Sequence, residues 1–447
     1  MRNGNWLRTI FALAVIFAMV GGCVATAEGA YSILIDSFDW GPGVTKVIMD
    51  LGVPIDAQSV RAEDFAVTEH KQYMDFQIMS LAEGDFERIV VDAYVSDESG
   101  AKLESEGAFV TLEMAVDPNS GNPFYYDLLG TTHNEWADPY QLIVSLKQGA
   151  ALTSAGASVT ELAIGELPAG KIMPKSDNFE AVDARLYAGN VMIGYSFYTP
   201  PQDDKQNALL IWLHGAGEGG SHKEVVLMGN KVSALGQPEI QDLFGGAYVL
   251  CPQAPTMWMD NGEKNPDTGA PMYVHDGNFV SIYTEGLMEL IDTFVKEHED
   301  IDPAKVIIGG CSNGGYMTVN MLIHHADKFL AAYPICEAYQ DNWIGDEQLQ
   351  AIASVPTWFT YAEDDTTVDP LLNAAPTVER LKAIGANVQL SVFPNVVDTS
   401  GLYKTPDGAP HQYMGHWSWL YTLNNQCIET IDGQEVAIWN WLADLAK

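Results

Sequence analysis

The sequence is poor in positive charge. Among its 447 residues, 22 Lys and Arg stand against 60 Asp and Glu, which gives a formal net charge of −38 at pH 7. A polyanion of this size is repelled by the phosphates of nucleic acids and by anionic lipid surfaces, so neither is expected as a partner. The ordinary consequence of such a composition is solubility, because excess surface carboxylates are well solvated.

Long apolar runs are also scarce. One uncharged apolar run of 11 residues, at 10–20, follows Arg2 and Arg8 near the N-terminus. It is too short to span a membrane, and together with the arginines it predicts an export signal over residues 1–27. Nothing later in the chain has the length and apolarity of a membrane span.

Two processing signals overlap at the end of this leader. Residues 20–23, Val-Gly-Gly-Cys, resemble a lipobox, which would place a lipid anchor on Cys23. Residues 25–27, Ala-Thr-Ala, fit the small-x-small pattern of ordinary signal peptidase. Both alternatives predict an extracellular protein, either secreted or anchored by its lipid to the outer face of the cell membrane.

Cysteine is sparse, with 5 in the whole chain. Without Cys23, the remaining four thiols allow three disulfide pairings in an oxidising compartment, and buried free thiols are an equal alternative. The four are Cys251, Cys311, Cys336 and Cys427. Because no CxxC pattern or Cys/His cluster is present, no metal is expected.

The chain is longer than one hydrophobic core usually grows, and its pattern changes along its length. Residues 30–164 contain short period-two or β-branched runs separated by turns, which predicts an antiparallel β-sandwich. Residues 165–177 carry several Pro and Gly and are predicted to be a linker. From 178 to 447, apolar strand-like runs alternate with amphipathic helices, which predicts a mainly parallel sheet flanked by helices.

One of these strand-like runs leads into a catalytic motif. Residues 306–309, Val-Ile-Ile-Gly, are followed by GCSNG at 310–314 and then by a helical pattern. A strand, GxSxG and a helix in that order form a nucleophile elbow, in which small neighbours let the strand and the helix approach each other. The context predicts Ser312 as a nucleophile, and the alternative is an ordinary glycine-rich turn.

A second glycine-rich segment, HGAGEGG at residues 214–220, follows an earlier apolar run. Such a loop supplies an oxyanion donor in α/β-hydrolases, because glycine allows a backbone amide to turn inward. The predicted donors are the N–H groups of Asn313 and Ala216, with Gly217 as the alternative to Ala216. His214 is expected to be a structural loop residue rather than a base.

Chain order selects the partners of Ser312, because the triad order in this fold is Ser, acid, His. Asp365 follows a late strand-like run and is preferred to Asp364, since its spacing from a following valine is typical of acid loops. Only His411 and His416 follow Asp365, and His416 is preferred because it lies just before the last helix. The predicted chemistry is acyl transfer through an acyl-enzyme, which requires no cofactor.

Substrate contacts are expected from two long loops, since loops in such sites usually carry specificity. One loop, at 255–278, contains Trp258, and the other, at 394–415, ends just before the candidate base. Trp258 and Trp417 are predicted to form the walls of an acyl or aryl pocket. The alternative is that these aromatic rings pack inside their own loops.

Several stretches resemble bacterial extracellular esterases in which an immunoglobulin-like domain precedes an α/β-hydrolase domain. The specific ones are LLIWLHGAGEGG, YVLCPQAPTMW, IGGCSNGGYM, WFTYAEDDTTVDP and GHWSWLYTLNN, and a looser likeness covers residues 44–69. The resemblance implies an immunoglobulin-like domain over 30–164, an α/β-hydrolase domain over 178–447, and hydrolysis of short-chain carboxylic esters. The triad that it implies is Ser312, Asp365 and His416.

Other functions compete with a simple carboxylesterase. A feruloyl, acetyl-xylan or polyester-depolymerising esterase has the same chemistry with another pocket, so the ester is expected to be a small molecule or part of a polymer. A serine peptidase of the prolyl-oligopeptidase kind would need a β-propeller, for which the region before 178 is too short and has no repeats. A non-catalytic surface protein is disfavoured by the complete triad. The oligomeric state stays open.

Overall fold

The protein is described by a computed structural model that covers residues 24–267, 269, 271–273 and 280–447. The apolar run at 10–20 and Cys23 lie outside these residues. Residues 24–27, the end of the predicted leader, begin the first strand and pair in parallel with a strand of the first sheet. Within the covered ranges, no helix is both long and apolar enough to cross a membrane.

The N-terminal part is built from strands that form two main sheets and a separate hairpin. These strands are β1 (Val24–Phe38), β2 (Gly41–Asp56), β3 (Phe65–Asp75), β4 (Ser80–Arg88), β5 (Val90–Ser96), β6 (Glu106–Met114), β7 (Phe124–Tyr126), β8 (Asn134–Trp136), β9 (Tyr140–Leu146), β10 (Leu152–Ser154), β11 (Ala157–Ile164) and β12 (Gly170–Ile172). The larger sheet has the order β10-β11-β1-β2-β6-β5, and the smaller has the order β4-β3-β9. This is the predicted sandwich, except that β11 and β12 pair with β1 in parallel rather than antiparallel.

The alternation along β1 shows how the sandwich closes. Tyr31, Ile33 and Ile35 point inward and are buried, while the residues between them are partly exposed. A period of two places alternate side chains on one face of a strand, so that face packs against the other sheet. Strand β12 also pairs with β1. The segment predicted as a linker, 165–177, therefore gives part of its backbone to the sheet edge.

The C-terminal part is a mainly parallel sheet covered by helices, as predicted. Its strands are β13 (Phe179–Tyr187), β14 (Val191–Tyr198), β15 (Asn207–Leu213), β16 (Ala247–Gln253), β17 (Ile301–Cys311), β18 (Ala331–Ile335), β19 (Thr357–Ala362) and β20 (Val388–Phe393), and a hairpin follows with β21 (Ile428–Ile431) and β22 (Gln434–Ala437). The order is β13-β14-β16-β15-β17-β18-β19-β20, in which β14 runs antiparallel to both of its neighbours and all other neighbouring pairs are parallel.

Helices cover both faces of this sheet. They are α1 (Lys223–Met228), α2 (Pro238–Phe244), α3 (Thr284–Glu297), α4 (Asn313–His325), α5 (Asp346–Ala353), α6 (Ala374–Ala383), α7 (Trp419–Leu423) and α8 (Ile438–Leu445). One apolar core includes side chains of α3 to α6, and a second includes side chains of α2, α7 and α8. Burial on both faces explains why the central strands read as continuous apolar runs.

The short helix α1 joins the two parts of the molecule. Val225 and Met228 pack into the core of the N-terminal sandwich, while Val226 and Leu227 pack into the core of the second part. In return, Trp40 of the N-terminal part belongs to the second core. The contact between the two parts is therefore apolar and fully buried at its centre.

The strand order creates a crevice at one end of the parallel strands. The chain passes from β15 to β16 on one side and then to β17 on the other, so the loops after β15 and β17 diverge at the same point. Leu213, at the end of β15, pairs with Gly310, near the end of β17. Such a switch point opens a crevice outside the carboxyl ends of parallel strands, and both predicted glycine-rich loops begin there.

Candidate active site

Ser312 lies in the tight turn between β17 and α4. Its backbone has φ 56° and ψ −116°, which side chains other than glycine rarely adopt. The Ser312 N–H donates to the Ile335 carbonyl at 2.8 Å, which ties this turn to the neighbouring strand. The strained turn raises the serine above the sheet edge, as a nucleophile elbow requires.

Glycine is required on either side of the turn because the adjacent strand passes very close to the backbone there. A Cβ at Gly310 or at Gly314 would overlap the carbonyl oxygen of Leu213 in the adjacent strand. Any larger residue would therefore push β15 away from Ser312. The spacing of glycine two positions before and after Ser312 has a steric cause in this fold.

The candidate acid, Asp365, and the candidate base, His416, lie together beside the same ends of the parallel strands. Nδ1 of His416 is 2.8 Å from Oδ2 of Asp365. The other carboxylate oxygen, Oδ1, accepts the N–H groups of Thr367 and Val368 at 2.8 and 2.9 Å. Both side chains are buried. The backbone amides fix the orientation of the carboxylate, and the carboxylate holds the imidazole with its proton on Nδ1.

The two alternative residues occupy different places. Oδ2 of Asp364 accepts a hydrogen bond from the Gln412 side chain at 3.3 Å. The ring of His411 packs against Tyr413, with 5.0 Å between the ring centroids. The structure thus pairs the preferred acid, Asp365, with the preferred base.

The predicted oxyanion loop turns directly after β15. Residues Ala216–Glu218 form one 3₁₀ turn. In the described part of the chain, the N–H groups of Ala216 and Gly217 have no acceptor within the protein. Asn313 is the first residue of α4, so its N–H also has no partner within the helix, and its side-chain Oδ1 accepts the Trp258 N–H at 2.6 Å.

His214 is held inside the loop, as a structural residue would be. Its Nδ1 donates to the carbonyl of Gly215 at 2.6 Å, and its Nε2 accepts the N–H of Ala254 at 3.1 Å. Burial lowers the pKa of His214 to about 3, so the ring is neutral at physiological pH.

Glu218 is a buried carboxyl group in the same loop. Burial raises its pKa to about 7, although a hydrogen bond from the Asn134 side chain favours the ionised form. Nδ2 of Asn134 lies 2.9 Å from Oε1 of Glu218. Asn134 belongs to the N-terminal part, so the loop is contacted from both parts of the molecule.

Ser312 and His416 line a cavity of about 580 Å³. The second part of the molecule contributes the glycine-rich loop and the aromatic residues after His416. The N-terminal part contributes an apolar, mostly aromatic wall, which sequence reasoning missed. The main residues of that wall are Trp40, Pro42, Phe76, Phe124, Tyr125 and Tyr126.

The two tryptophans predicted to contact substrate have different positions. Trp417 lines the cavity and stacks on Tyr413. Trp258 does not line it, because its side chain is fully buried against His214 and Tyr283. Only the backbone of Trp258 serves the site, through its hydrogen bond to Asn313. The ring of Trp258 is instead part of a buried core that extends beyond its own loop, so neither a pocket wall nor a ring packed inside its loop describes it.

The four cysteines that the structure describes, Cys251, Cys311, Cys336 and Cys427, are all buried and free. Cys336 lies beside the acid and the base, and within the described ranges these three side chains form a group whose ligand atoms are within 4.8 Å of one another. Burial raises the pKa of the Cys336 thiol, so the thiol is neutral next to the hydrogen-bonded pair.

Comparison with known families divides the chain as its fold does. Residues 30–161 match the family described as the esterase Ig-like N-terminal domain. Residues 197–400 match the phospholipase/carboxylesterase family. No curated protein sequence is significantly similar to the chain.

One solved structure shares the fold at low sequence identity, and others are less similar. The crystal structure of a thermostable esterase is 22% identical, with a TM-score of 0.64 over 89% of this chain and 96% of that one. A ferulic acid esterase is 14% identical, with a TM-score of 0.40 over 60% of this chain and 98% of that one. The feruloyl esterase module from Clostridium thermocellum is 12% identical, with a TM-score of 0.39 over 57% and 88% of the two chains.

Proposed function

We propose that this chain, in which a match to the esterase Ig-like N-terminal domain precedes a match to the phospholipase/carboxylesterase family, is a carboxylic ester hydrolase that cleaves short-chain esters with a catalytic triad. The members of the triad are Ser312, His416 and Asp365. The observation that carries the proposal is the hydrogen bond between buried Asp365 and His416, at a cavity that Ser312 also lines.

Each residue has one role in the proposed reaction. Ser312 Oγ attacks the ester carbonyl while Nε2 of His416 takes its proton. Asp365 accepts the Nδ1–H hydrogen bond and stabilises the imidazolium that forms. The carbonyl oxygen becomes an oxyanion, which is bound by the N–H of Asn313 and by that of Ala216 or Gly217.

The remaining steps use the same groups, with His416 first returning a proton and then accepting another. The tetrahedral intermediate collapses and the alcohol leaves with the proton that His416 returns to it. Water then enters, His416 takes one of its protons, and the acyl-enzyme is hydrolysed to the acid and free Ser312. The backbone donors act at both tetrahedral intermediates, because each carries its charge on the same oxygen.

An aryl-ester hydrolase of the feruloyl type is the second candidate. The aromatic wall formed by Trp40, Phe76, Phe124, Tyr125 and Tyr126 favours it, because aromatic rings stack on aromatic substrates. Esters carried by a polymer, such as acetylated xylan or a polyester, fit the same triad chemistry. A prolyl-oligopeptidase-like peptidase is less well supported, since the N-terminal domain is a sandwich rather than a propeller.

A panel of substrates distinguishes these candidate functions. The purified protein is offered p-nitrophenyl esters of increasing acyl length, methyl ferulate, acetylated xylan and a peptide anilide. We expect the acetyl and butyryl esters to be turned over fastest, and fast anilide cleavage with inert esters would contradict the proposal. Ser312→Ala should reduce kcat by about 10⁴-fold or more, and full turnover by this variant would exclude the triad.

We also propose an extracellular location, from the charged and apolar pattern of the first 27 residues. Mass spectrometry of the mature N-terminus tests it. A lipid on Cys23 indicates anchoring, a chain that begins near Glu28 indicates secretion, and an intact Met1 contradicts both.

A further inference from the structure

The hairpin of β7 and β8 reaches from the N-terminal domain to the oxyanion loop. His133, in the connection between the two strands, is buried, and its Nδ1 lies 2.9 Å from the carbonyl oxygen of Ala216. Its Nε2 lies 3.3 Å from the carbonyl oxygen of Pro255. The next residue, Asn134, donates to Glu218. Two consecutive side chains of one domain thus hold a catalytic loop of the other.

The loop is built to admit these two side chains. A Cβ at Gly219 would lie 2.5 Å from Cε1 of His133, and one at Gly217 would lie 2.9 Å from Nδ2 of Asn134. Both distances are shorter than those that Cβ atoms show in real structures. Glycine is therefore required after Ala216 for a second reason besides backbone freedom, because a side chain there would prevent the hairpin from approaching the loop.

The hydrogen bond to Ala216 has a consequence for the neighbouring amide. In a trans peptide the C=O and the N–H lie in one plane and point in opposite directions. When His133 fixes the carbonyl of Ala216, it also fixes the direction of the Gly217 N–H, away from the hairpin. In the same way, His214 holds the carbonyl of Gly215 at 2.6 Å and fixes the N–H of Ala216.

Two imidazole rings therefore set two successive peptide planes at the cavity, which Ala216 and Gly217 both line. His214 is part of the loop itself, and His133 comes from the other domain. We propose that His133 and Asn134 are positioning residues, which aim the oxyanion donors of Ala216 and Gly217 at the reacting carbonyl. This inference rests on the proposed esterase function.

Kinetics of His133 variants test the proposal. His133→Ala should lower kcat for p-nitrophenyl butyrate by about 10- to 100-fold while KM changes little, because misaligned donors weaken binding of the transition state alone. The affinity for a trifluoromethyl ketone, which forms a tetrahedral adduct with the serine, should fall by the same factor. Asn134→Ala should have a smaller effect of the same kind.

Two conservative variants separate aiming from packing. The amide of Asn can take the place of Nδ1, and the amide of Gln can take the place of Nε2. We expect His133→Asn to recover much of kcat because it can still donate to Ala216, and His133→Gln to remain impaired because its amide faces Pro255. Equal activity of the two variants would overturn the proposal.

Leu129→Ala is the matched control, because Leu129 lies in the same connection, is 61% exposed and does not line the cavity. It should keep the kcat of the unaltered protein, and a loss equal to that of His133→Ala would mean that any disturbance of the hairpin suffices. Melting curves followed by circular dichroism identify variants that do not fold. If Ser312→Ala retains turnover, the proposed function itself fails. If that variant is inactive and His133→Ala is fully active, only the positioning role fails.

Discussion

The two walls of the cavity are built in different ways. The hydrolase wall consists of residues at or just after the ends of parallel strands, such as Ser312 after β17 and Asp365 after β19. They are fixed by backbone hydrogen bonds and by a strained turn. The N-terminal wall consists of aromatic side chains on a hairpin and on strand connections. One wall holds the proposed catalytic groups, and the other is composed of the surfaces proposed to contact the substrate.

This difference separates what a site needs in order to react from what it needs in order to select. Strand ends are rigid, and they suit groups whose positions must be accurate. Loops and hairpins vary more freely, and they suit recognition. The two walls are nonetheless coupled, because α1 has side chains in both cores and His133 touches the oxyanion loop.

The largest expected effect tests the hydrolase wall. Asp365→Asn leaves the shape of the acid loop almost unchanged but offers His416 an amide in place of a carboxylate, so the imidazole loses its orientation and its stabilisation when charged. We expect kcat to fall by about 10⁴-fold, measured with p-nitrophenyl acetate at pH 7.

Asp364→Asn is the matched control for this change. Asp364 is the adjacent carboxylate, and it contacts Gln412 rather than His416. It should retain kcat within about threefold. If Asp364→Asn were the more damaging variant, the acid of the triad would be misassigned.

The sequence predicted the hydrolase wall because its signals are local or follow chain order. GxSxG lies between a strand and a helix within a few residues, and only His411 and His416 follow the acid loop. No such pattern marks the N-terminal wall. His133 meets Ala216 across 83 positions in sequence, and that contact depends on how two domains pack. Trp258 was placed wrongly for a related reason, since loop position does not determine which way a ring turns.

The next effect tests the contact between the walls. Gly219→Ala adds a methyl group 2.5 Å from His133 and 2.9 Å from the Thr256 carbonyl, so the hairpin or the loop must move. Overpacking of this kind costs about 1–3 kcal/mol, and we expect kcat to fall by about 10-fold or more. Gly345→Ala serves as the control, because its new methyl group makes only an ordinary van der Waals contact. This variant should leave kcat nearly unchanged.

A double variant sharpens this test. In Gly219→Ala combined with His133→Ala the nearest clash is removed, so the two losses should be less than additive in free energy. If the losses in kcat were strictly additive in free energy, Gly219 and His133 would act independently. That result would contradict the proposed coupling between the two walls.

A smaller effect tests selection by the N-terminal wall. Phe76 lines the cavity but is 61% exposed, so Phe76→Ala should disturb the fold little. Loss of part of an aromatic contact is worth about 1 kcal/mol. We therefore expect kcat/KM to fall about fivefold for methyl ferulate and to stay unchanged for p-nitrophenyl acetate. Ile78→Ala, a residue of the same turn with 65% exposure that does not line the cavity, should alter neither ester.

The last effect concerns stability rather than turnover and lies beneath the hydrolase wall, at Glu337. The Cα and Cβ of Glu337 lie against Gly315 in the first turn of α4, and burial raises the pKa of the Glu337 carboxyl group to about 8. In the unfolded chain the group loses its proton near its usual pKa of about 4.5, so folding takes up a proton between about pH 5 and pH 8. Stability should therefore fall as pH rises through that window, by at most about 1.4 kcal/mol per pH unit from this group.

Glu337→Gln should flatten this dependence, because an amide does not titrate. Melting temperatures at pH 5.5 and 8 measure it, and we expect the fall between the two values to shrink by a few degrees in the variant. Glu218, with a raised pKa of about 7, leaves part of the slope in place. Glu347→Gln, on the exposed face of α5, is the control and should keep the full slope. An unchanged slope in Glu337→Gln would mean that this carboxyl is ionised in the folded protein, and that the hydrolase wall rests on a buried charge.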